Sequence, residues 1–245
     1  MAGGKASAVR RRFLVERFED GAGVLRGQDA RHLGRVLRAK PGDRFELSDG
    51  VAVWLASVTR VGAGAVEFRL LEPVAAADLR IEVTALISIF RFARMEWAIE
   101  KATELGVSAI RPLAAARSEP GLVAAAPKRM ARWEKIAHEA ANQSRRTASP
   151  QVLSPAKALV AFGETNAEIR LILSERRDAP KMENFRPANG AKSVALAFGP
   201  EGGWTDEEFT AARTAGFQEA SLGPLILRAE TAAIAALAIA CCSWA

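Results

Sequence analysis

The run Ala195-Leu-Ala-Phe-Gly-Pro-Glu-Gly-Gly-Trp-Thr-Asp-Glu-Glu208 leaves this chain the fewest folding options. Its apolar start reads as a short buried strand. Gly199–Gly203 follows as a turn, in which proline fixes φ and three glycines allow positive φ and close backbone approach. Thr205 with Glu208 three residues on is a capping box that opens a helix, and Gly216 ends that helix. A strand–turn–helix unit of this kind belongs to a layered α/β sheet. A second tight loop, Ser221-Leu-Gly-Pro-Leu-Ile-Leu-Arg-Ala-Glu-Thr-Ala232, runs into another helix. Two such loops at strand ends form a pocket suited to a nucleotide-like ligand. The first turn is not a P-loop, because no Gly-Lys-Ser/Thr follows it, and it lacks the G-x-G-x-x-G spacing of a dinucleotide fold.

The same alternation extends back to Ile81. Ile81–Ile89, Val107–Leu113, Ile169–Leu173 and Val194–Phe198 read as apolar strands. Met95–Leu105 is a helix with Met95, Ile99, Ala102 and Leu105 on one face and Gly106 past its end. A second helix opens near Pro127, carries the stripe Trp133, Ile136, Ala137 and Ala140, and runs towards Gln143-Ser-Arg-Arg146. Helices between short strands predict a mostly parallel sheet. Residues 11–73 differ. They hold short alternating strands, a hairpin signature at Asp49-Gly50, a turn at Lys40-Pro-Gly-Asp43 and a short helical segment over Asp29–Arg38, which together suggest a small barrel. Pro73–Asp78 reads as the linker. The expected division is a barrel over 1–73 and an α/β domain over 79–245.

Composition narrows the partners. The net charge is +6, and residues 1–73 carry 13 Lys/Arg against 9 Asp/Glu, whereas the remainder carries 21 against 19. That points to a polyanion held by the smaller segment or to a solvated basic face; charge alone leaves both open. The only cysteines, Cys241 and Cys242, are adjacent and offer neither an ordinary disulfide nor zinc-ligand spacing, which fits a reducing cytoplasm. Arg10-Arg-Arg12 has no apolar segment after it, so no export signal is expected. Ala232–Ala240 is too short to span a bilayer and reads as a buried helix.

Candidate chemistry concentrates at the two loops. Glu201 either receives a ligand amine or hydroxyl or braces its own turn. Gly223 permits close approach, while Leu222, Ile226 and Leu227 would wall an apolar slot. Arg228 and Glu230 open a nearly all-apolar helix, where charge must be paired or used; a phosphate or base contact and a structural ion pair both remain open. Gln143 and Arg146 suit RNA contact, as does Arg117 after a strand. His32 lies among Arg31, Arg35 and Arg38. No nucleophile elbow or paired carboxylates make a hydrolase case.

Taken in order, Arg11-Arg-Arg-Phe13, His32–Asp43, Met95–Val107, Arg117-Ser118, Trp133–Arg146, Gly199–Gly203 and Leu222–Ala232 closely resemble the RsmE family, bacterial 16S ribosomal RNA uridine N3-methyltransferases of the SPOUT superfamily. The resemblance spans nearly the whole chain. It implies a PUA-like β-barrel followed by an α/β methyltransferase domain with a deep trefoil knot, a homodimer, and S-adenosylmethionine as donor with S-adenosylhomocysteine as product. No metal is implied. Cofactor contacts are expected from Leu173, Ser174, Phe198, Gly199, Pro200, Glu201, Gly202, Gly203, Ser221, Leu222, Gly223, Leu225, Ile226, Leu227 and Thr231. Catalytic roles are expected for Arg228 and Glu230. RNA contacts are expected from Arg11, Arg12, His32, Arg35, Arg38, Arg117, Gln143 and Arg146. Two departures stand out: Phe90-Arg-Phe-Ala-Arg94 where the family commonly has a lysine, whose charge Arg91 or Arg94 would supply with a different geometry, and Ala229 where threonine is usual. The rival readings are an RNA-binding assembly protein without catalysis and a SPOUT enzyme acting on another RNA site.

Overall fold

The computed structural model describes residues 11–75, 81–176, 178–187 and 192–244, so the second half of the expected linker lies outside the described residues. The chain divides into two units, one of residues 1–78 with 141–149 and the other of 79–140 with 150–245.

In the smaller unit, β1 (Arg12–Leu14), β2 (Phe18–Glu19) and β3 (Ala22–Arg26) precede a short helix, α1 (Gly27–Arg31), which continues as a π-helical turn over His32–Val36. β4 (Arg44–Ser48), β5 (Val53–Val61) and β6 (Ala65–Pro73) follow. They form one sheet in the order β1-β4-β5-β6-β3-β2, antiparallel except for β1 with β4. The β2–β3 hairpin turns at Asp20-Gly21, both at positive φ, as a two-residue hairpin turn requires. Alternate residues Leu47, Ala56, Val58, Val66 and Phe68 face one core with Phe13, Leu25 and Leu33.

Residues 141–149 complete this unit. Leu14 N donates to Asn142 Oδ1 (3.1 Å), Asn142 Nδ2 donates to Asp29 Oδ2 (3.2 Å), and Ser48 Oγ donates to the Thr147 carbonyl (2.6 Å). Arg12 corrects the sequence reading. It is 4% exposed, donates Nε and Nη2 to Glu46 Oε2 at 3.2 and 3.0 Å, and gives Nη1 to the Arg145 carbonyl. Arg145 also pairs with Glu46. A guanidinium spent in this way cannot meet an RNA phosphate.

The larger unit runs β7 (Glu82–Ser88), α2 (Phe92–Leu105), β8 (Ala109–Ala114), α3 (Pro120–Ala125), a 3-10 turn over Ala126–Arg129 and α4 (Met130–Gln143), whose last residues belong to the smaller unit. Then come β9 (Gln151–Val152), β10 (Ala156–Lys157), α5 (Ala158–Glu164), β11 (Ile169–Leu173), a 3-10 turn over Met182–Phe185 and β12 (Ser193–Phe198). α6 (Asp206–Thr214), β13 (Gln218–Ala220) and α7 (Ala229–Ala238) finish the unit, with a π-helical turn over Ile239–Ser243. The sheet order is β10-β8-β7-β12-β11-β13 with β9 beside β8, and every pairing is parallel. Parallel strands must be covered on both faces, and two cores do this. One joins Val83, Ile87, Leu171 and Leu196 to α2, α4 and α7; the other joins Leu86, Ile172, Ala195 and Ala197 to α5 and α6. Pro120 opens α3 ahead of Pro127, and helical structure therefore begins earlier than the sequence stripe indicates.

Candidate active site

The carboxyl ends of β11 and β12 set the position of the site, with the loop after β13 closing it. Gly203 N donates to the Pro200 carbonyl at 2.8 Å, closing a four-residue turn directly after β12. Gly203 sits at φ +71°, where a side chain would strain the backbone. Trp204 then tucks under the turn. Its indole Nε1 donates to the Leu173 carbonyl at 3.1 Å, which ties the end of β11 to the turn after β12. A side chain at Gly199 would stand 3.1 Å from that nitrogen, so the turn packs directly on the indole.

The capping box is formed as expected: Glu208 N donates to Thr205 Oγ1, and Glu208 Oε2 accepts from Thr205 N. Glu208 is 1% exposed, and its other oxygen accepts from Ala116 N at 2.7 Å. The next residue, Arg117, gives Nη1 to the carbonyls of Gly202 (2.9 Å) and Trp204 (3.3 Å). The segment after β8 is thus a brace for the glycine turn.

The second loop is held by neighbours distant in sequence. Ser221 N donates to the Pro180 carbonyl, Met182 N donates to the Ser221 carbonyl, and Ser174 N donates to the Ala220 carbonyl. Ser221 Oγ accepts from Gly223 N at 3.2 Å, shaping the turn from within. Leu225 and Ile226 then project outward, 76% and 84% exposed. Exposed aliphatic side chains of that size beside a cavity need a reason.

Between these loops lies a cavity of about 410 Å³. Of the residues named from sequence it gathers Leu173, Ser174, Phe198–Glu201, Gly203, Ser221–Gly223 and Leu225–Arg228 on its wall. Gly202, Glu230 and Thr231 are not on that wall. Arg228, at the start of α7, is exposed, and its side chain makes no hydrogen bond or ion pair among the described residues. Glu230, in the first turn of α7, meets Arg94 instead, Oε1 to Nε at 3.5 Å. Trp204, which sequence reasoning read only as part of the glycine-turn run, also lines the cavity, as do Glu175 of the Leu173–Glu175 segment and Arg94, one of the two arginines near the position of the family lysine. Among the described residues no group of three or more His, Cys, Asp or Glu side chains is placed to hold a metal ion.

The basic candidates fall in different places. In the smaller unit Arg11 Nη1 lies 3.3 Å from His32 Nε2, and Arg35 and Arg38 are exposed along the same segment. Gln143 is exposed at the end of α4, and Arg146 is half-buried with partners of its own. On α4 of the larger unit Arg132 is committed to Glu96, Nε to Oε1 and Nη2 to Oε2 at 2.7 Å each. The Arg132 hydrogen bonds, together with the charges of Arg132 and Arg129, hold the Glu96 carboxyl below its ordinary range despite partial burial, which acts the other way.

A parallel sheet with a braced glycine turn and a second loop closing one cavity defines a ligand-binding α/β domain, and the family models give its class. A model described as an RNA methyltransferase domain matches residues 77–241, and one described as an RNA methyltransferase PUA domain matches residues 25–71. The chain is 37% identical to the ribosomal RNA small subunit methyltransferase E of Synechocystis, over 84% of this chain and 68% of that protein. It is 33% identical to the protein of the same name from Mycobacterium tuberculosis, over 92% and 88%. A crystal structure of that methyltransferase from Neisseria gonorrhoeae, bound to S-adenosyl methionine, superposes with a TM-score of 0.80 at 33% identity, covering 94% of this chain and 95% of that one. A Legionella pneumophila methyltransferase solved with bound SAM gives 0.83 at 29% identity, covering 95% and 97%. The chain belongs to the ribosomal RNA small subunit methyltransferase E family.

Proposed function

We propose that this chain transfers the methyl group of S-adenosylmethionine to N3 of one uridine in the 16S RNA of the small ribosomal subunit. The observation that carries this reading is the convergence of Leu173–Ser174, Gly199–Glu201 with Gly203, and Ser221–Gly223 with Leu225–Arg228 on one cavity. Family membership supports the RNA class, and the relatives solved with the donor support the cofactor.

The residues present fit that donor. The cavity lies within the range of small-molecule sites. Its wall offers the Glu175 and Glu201 carboxylates for cationic groups and Leu222, Leu225 and Ile226 for an apolar body. A side chain at Gly203 would come within 3.2 Å of Glu175 Oε1, so the glycine keeps room for a ligand and for that carboxylate together. When bound, the donor supplies an electrophilic methyl carbon. The protein's own tasks are alignment and charge placement, with no covalent enzyme intermediate. N3 of uridine is a poor nucleophile while protonated. Arg228, at the cavity wall and without a partner among the described residues, stabilises the charge that develops on the uracil carbonyls as that proton leaves. Glu230 accepts the proton or fixes the start of α7. The target base leaves its stack to reach the cavity.

The smaller unit grips RNA through Arg11, His32, Arg35 and Arg38, with Gln143 and Arg146 as further RNA contacts, and the larger unit carries the methyltransferase chemistry. A trefoil knot in that domain follows from the family reading, and the backbone bonds of Ser221 with Pro180 and Met182, beside the bond from Ser174 N to the Ala220 carbonyl, support the close packing of these segments. A homodimer is supported by α7, whose outer side is apolar. No helix of the described residues is long and apolar enough to cross a membrane, and the proposed ribosomal substrate supports a cytoplasmic location.

Nucleoside mass analysis of 16S RNA from cells with and without the gene tests this. N3-methyluridine at one site should vanish with the gene and return with it. Unchanged modification, or loss of a different methyl, would refute the assignment.

A further inference from the structure

Arg94 sits in the first turn of α2 and reaches two carboxylates that are far apart in sequence. Its Nη1 donates to Glu201 Oε1 at 2.8 Å, and its Nε faces Glu230 Oε1 at 3.5 Å. Glu201 is in the glycine turn after β12, and Glu230 is in the first turn of α7. The side chain is about one third exposed, and it lines the cavity. Met95, Ala98 and Ile99 of α2 share one core with Ala233, Ala236 and Leu237 of α7, so the helix starts that carry Arg94 and Glu230 are held together from below. The second oxygen of Glu230, Oε2, is buried without a hydrogen-bond partner among the described residues. An acceptor left so is costly unless a bound species completes it.

We infer that Arg94 is a positioning residue: one guanidinium clamps the glycine turn to the start of α7, setting the donor's wall through Glu201 and the placement of Glu230 and Arg228 through the other arm. This rests on the methyltransferase reading of the cavity. Arginine suits the task because its planar fork presents two directed N–H groups at once, whereas lysine offers one compact charge. The two arms act on different quantities. Glu201 is on the cavity wall, so its arm governs donor affinity. Glu230 is off the wall but two residues from Arg228, so its arm governs turnover.

The test uses S-adenosylhomocysteine as calorimetric probe and undermethylated small subunits as methyl acceptor. Arg94→Ala is expected to weaken probe binding about tenfold and to lower kcat about tenfold, the loss of one charge-assisted contact in each arm. Glu201→Gln should weaken the probe by a larger factor than it lowers kcat at saturating donor. Glu230→Gln should do the reverse. Arg94→Ala with Glu201→Gln should bind the probe no worse than Arg94→Ala alone, because both remove the same contact. Arg94→Lys should restore one parameter and not both.

A merely structural residue would lower the melting temperature and move both parameters together in all three single variants, and that outcome overturns the proposal. So does an Arg94→Ala protein that matches wild type, or full rescue by lysine. If Arg94→Ala does not fold, the Glu201→Gln and Glu230→Gln pair decides the split alone. A wild-type chain that neither binds the probe nor methylates refutes the methyltransferase reading, which is a different result.

Discussion

Arg228 and Arg94 both stand on the cavity wall, yet only Arg94 is held by partners. An exposed guanidinium at the N-cap of α7, without a partner among the described residues, keeps its donors for a ligand. That is the physical basis for giving Arg228 the reacting base and Arg94 the scaffold. Replacing Arg228 by Ala should lower kcat by about 10²–10³-fold, the usual cost of one donor aimed at developing charge. Donor affinity should stay within a few-fold, since Glu201, Gly203 and the Ser221 turn are untouched. Single-turnover methyl transfer alongside calorimetry checks this, and equal losses in both would remove Arg228 from the chemistry. The glycine turn could be read from residue type alone, because Gly203 needs positive φ and Gly199 packs on Trp204. The Arg94 bridge could not, because 107 residues separate Arg94 from Glu201 and no periodicity links them.

At the scale of elements, α2 and α4 are joined by charge as well as by packing. Glu96 takes both arms of Arg132, and Arg129 lies over the Phe92 ring at 4.6 Å, with Phe92 edge-on to the buried Trp133. The Glu96 carboxyl is held below its ordinary value of 4.5, first by the Arg132 hydrogen bonds. A depressed folded value means that the ionised form stabilises the fold above the ordinary carboxylate range. That contribution is lost as pH falls through the folded value. The melting temperature of Glu96→Gln should therefore lie below wild type at neutral pH and converge with it in acid. A gap that stays constant on acidification would show that the pair carries no such linkage.

The same elements show what a sequence conveys. Parallel strands with apolar runs on both faces, the α2 stop at Gly106 and the Thr205 capping box were all legible, because each is set by local chemistry. The β2–β3 hairpin was missed although Asp20-Gly21 announces it, since its strands are too short to show alternation. β13 was missed for the opposite reason: Gln218–Ala220 has no apolar signature and becomes a strand only by pairing with β11.

For the molecule as a whole, the proposed homodimer bears on the outer side of α7. From Ala229 to Ala238 only Glu230 and Thr231 are polar, so the helix has no solvent-facing stripe. Ala233, Ala236 and Leu237 fill the core beneath it, while Ile234, Ala235 and Ala238 are only partly buried and lie outside that core. A helix apolar all round is normally covered all round. A second copy of the same chain, set against this side by a twofold axis, would cover it with an identical surface and bring two cavities close to one interface. Ile234→Glu would then bury an unpaired charge in that contact, which association cannot tolerate. Sedimentation velocity should show a dimer for wild type and a monomer for Ile234→Glu, with far-ultraviolet circular dichroism unchanged. Methyl transfer should fall with the dimer if the partner completes the RNA site. A wild-type protein that sediments as a monomer, or an Ile234→Glu protein that remains dimeric, would place the subunit contact elsewhere and leave this side of α7 without its explanation.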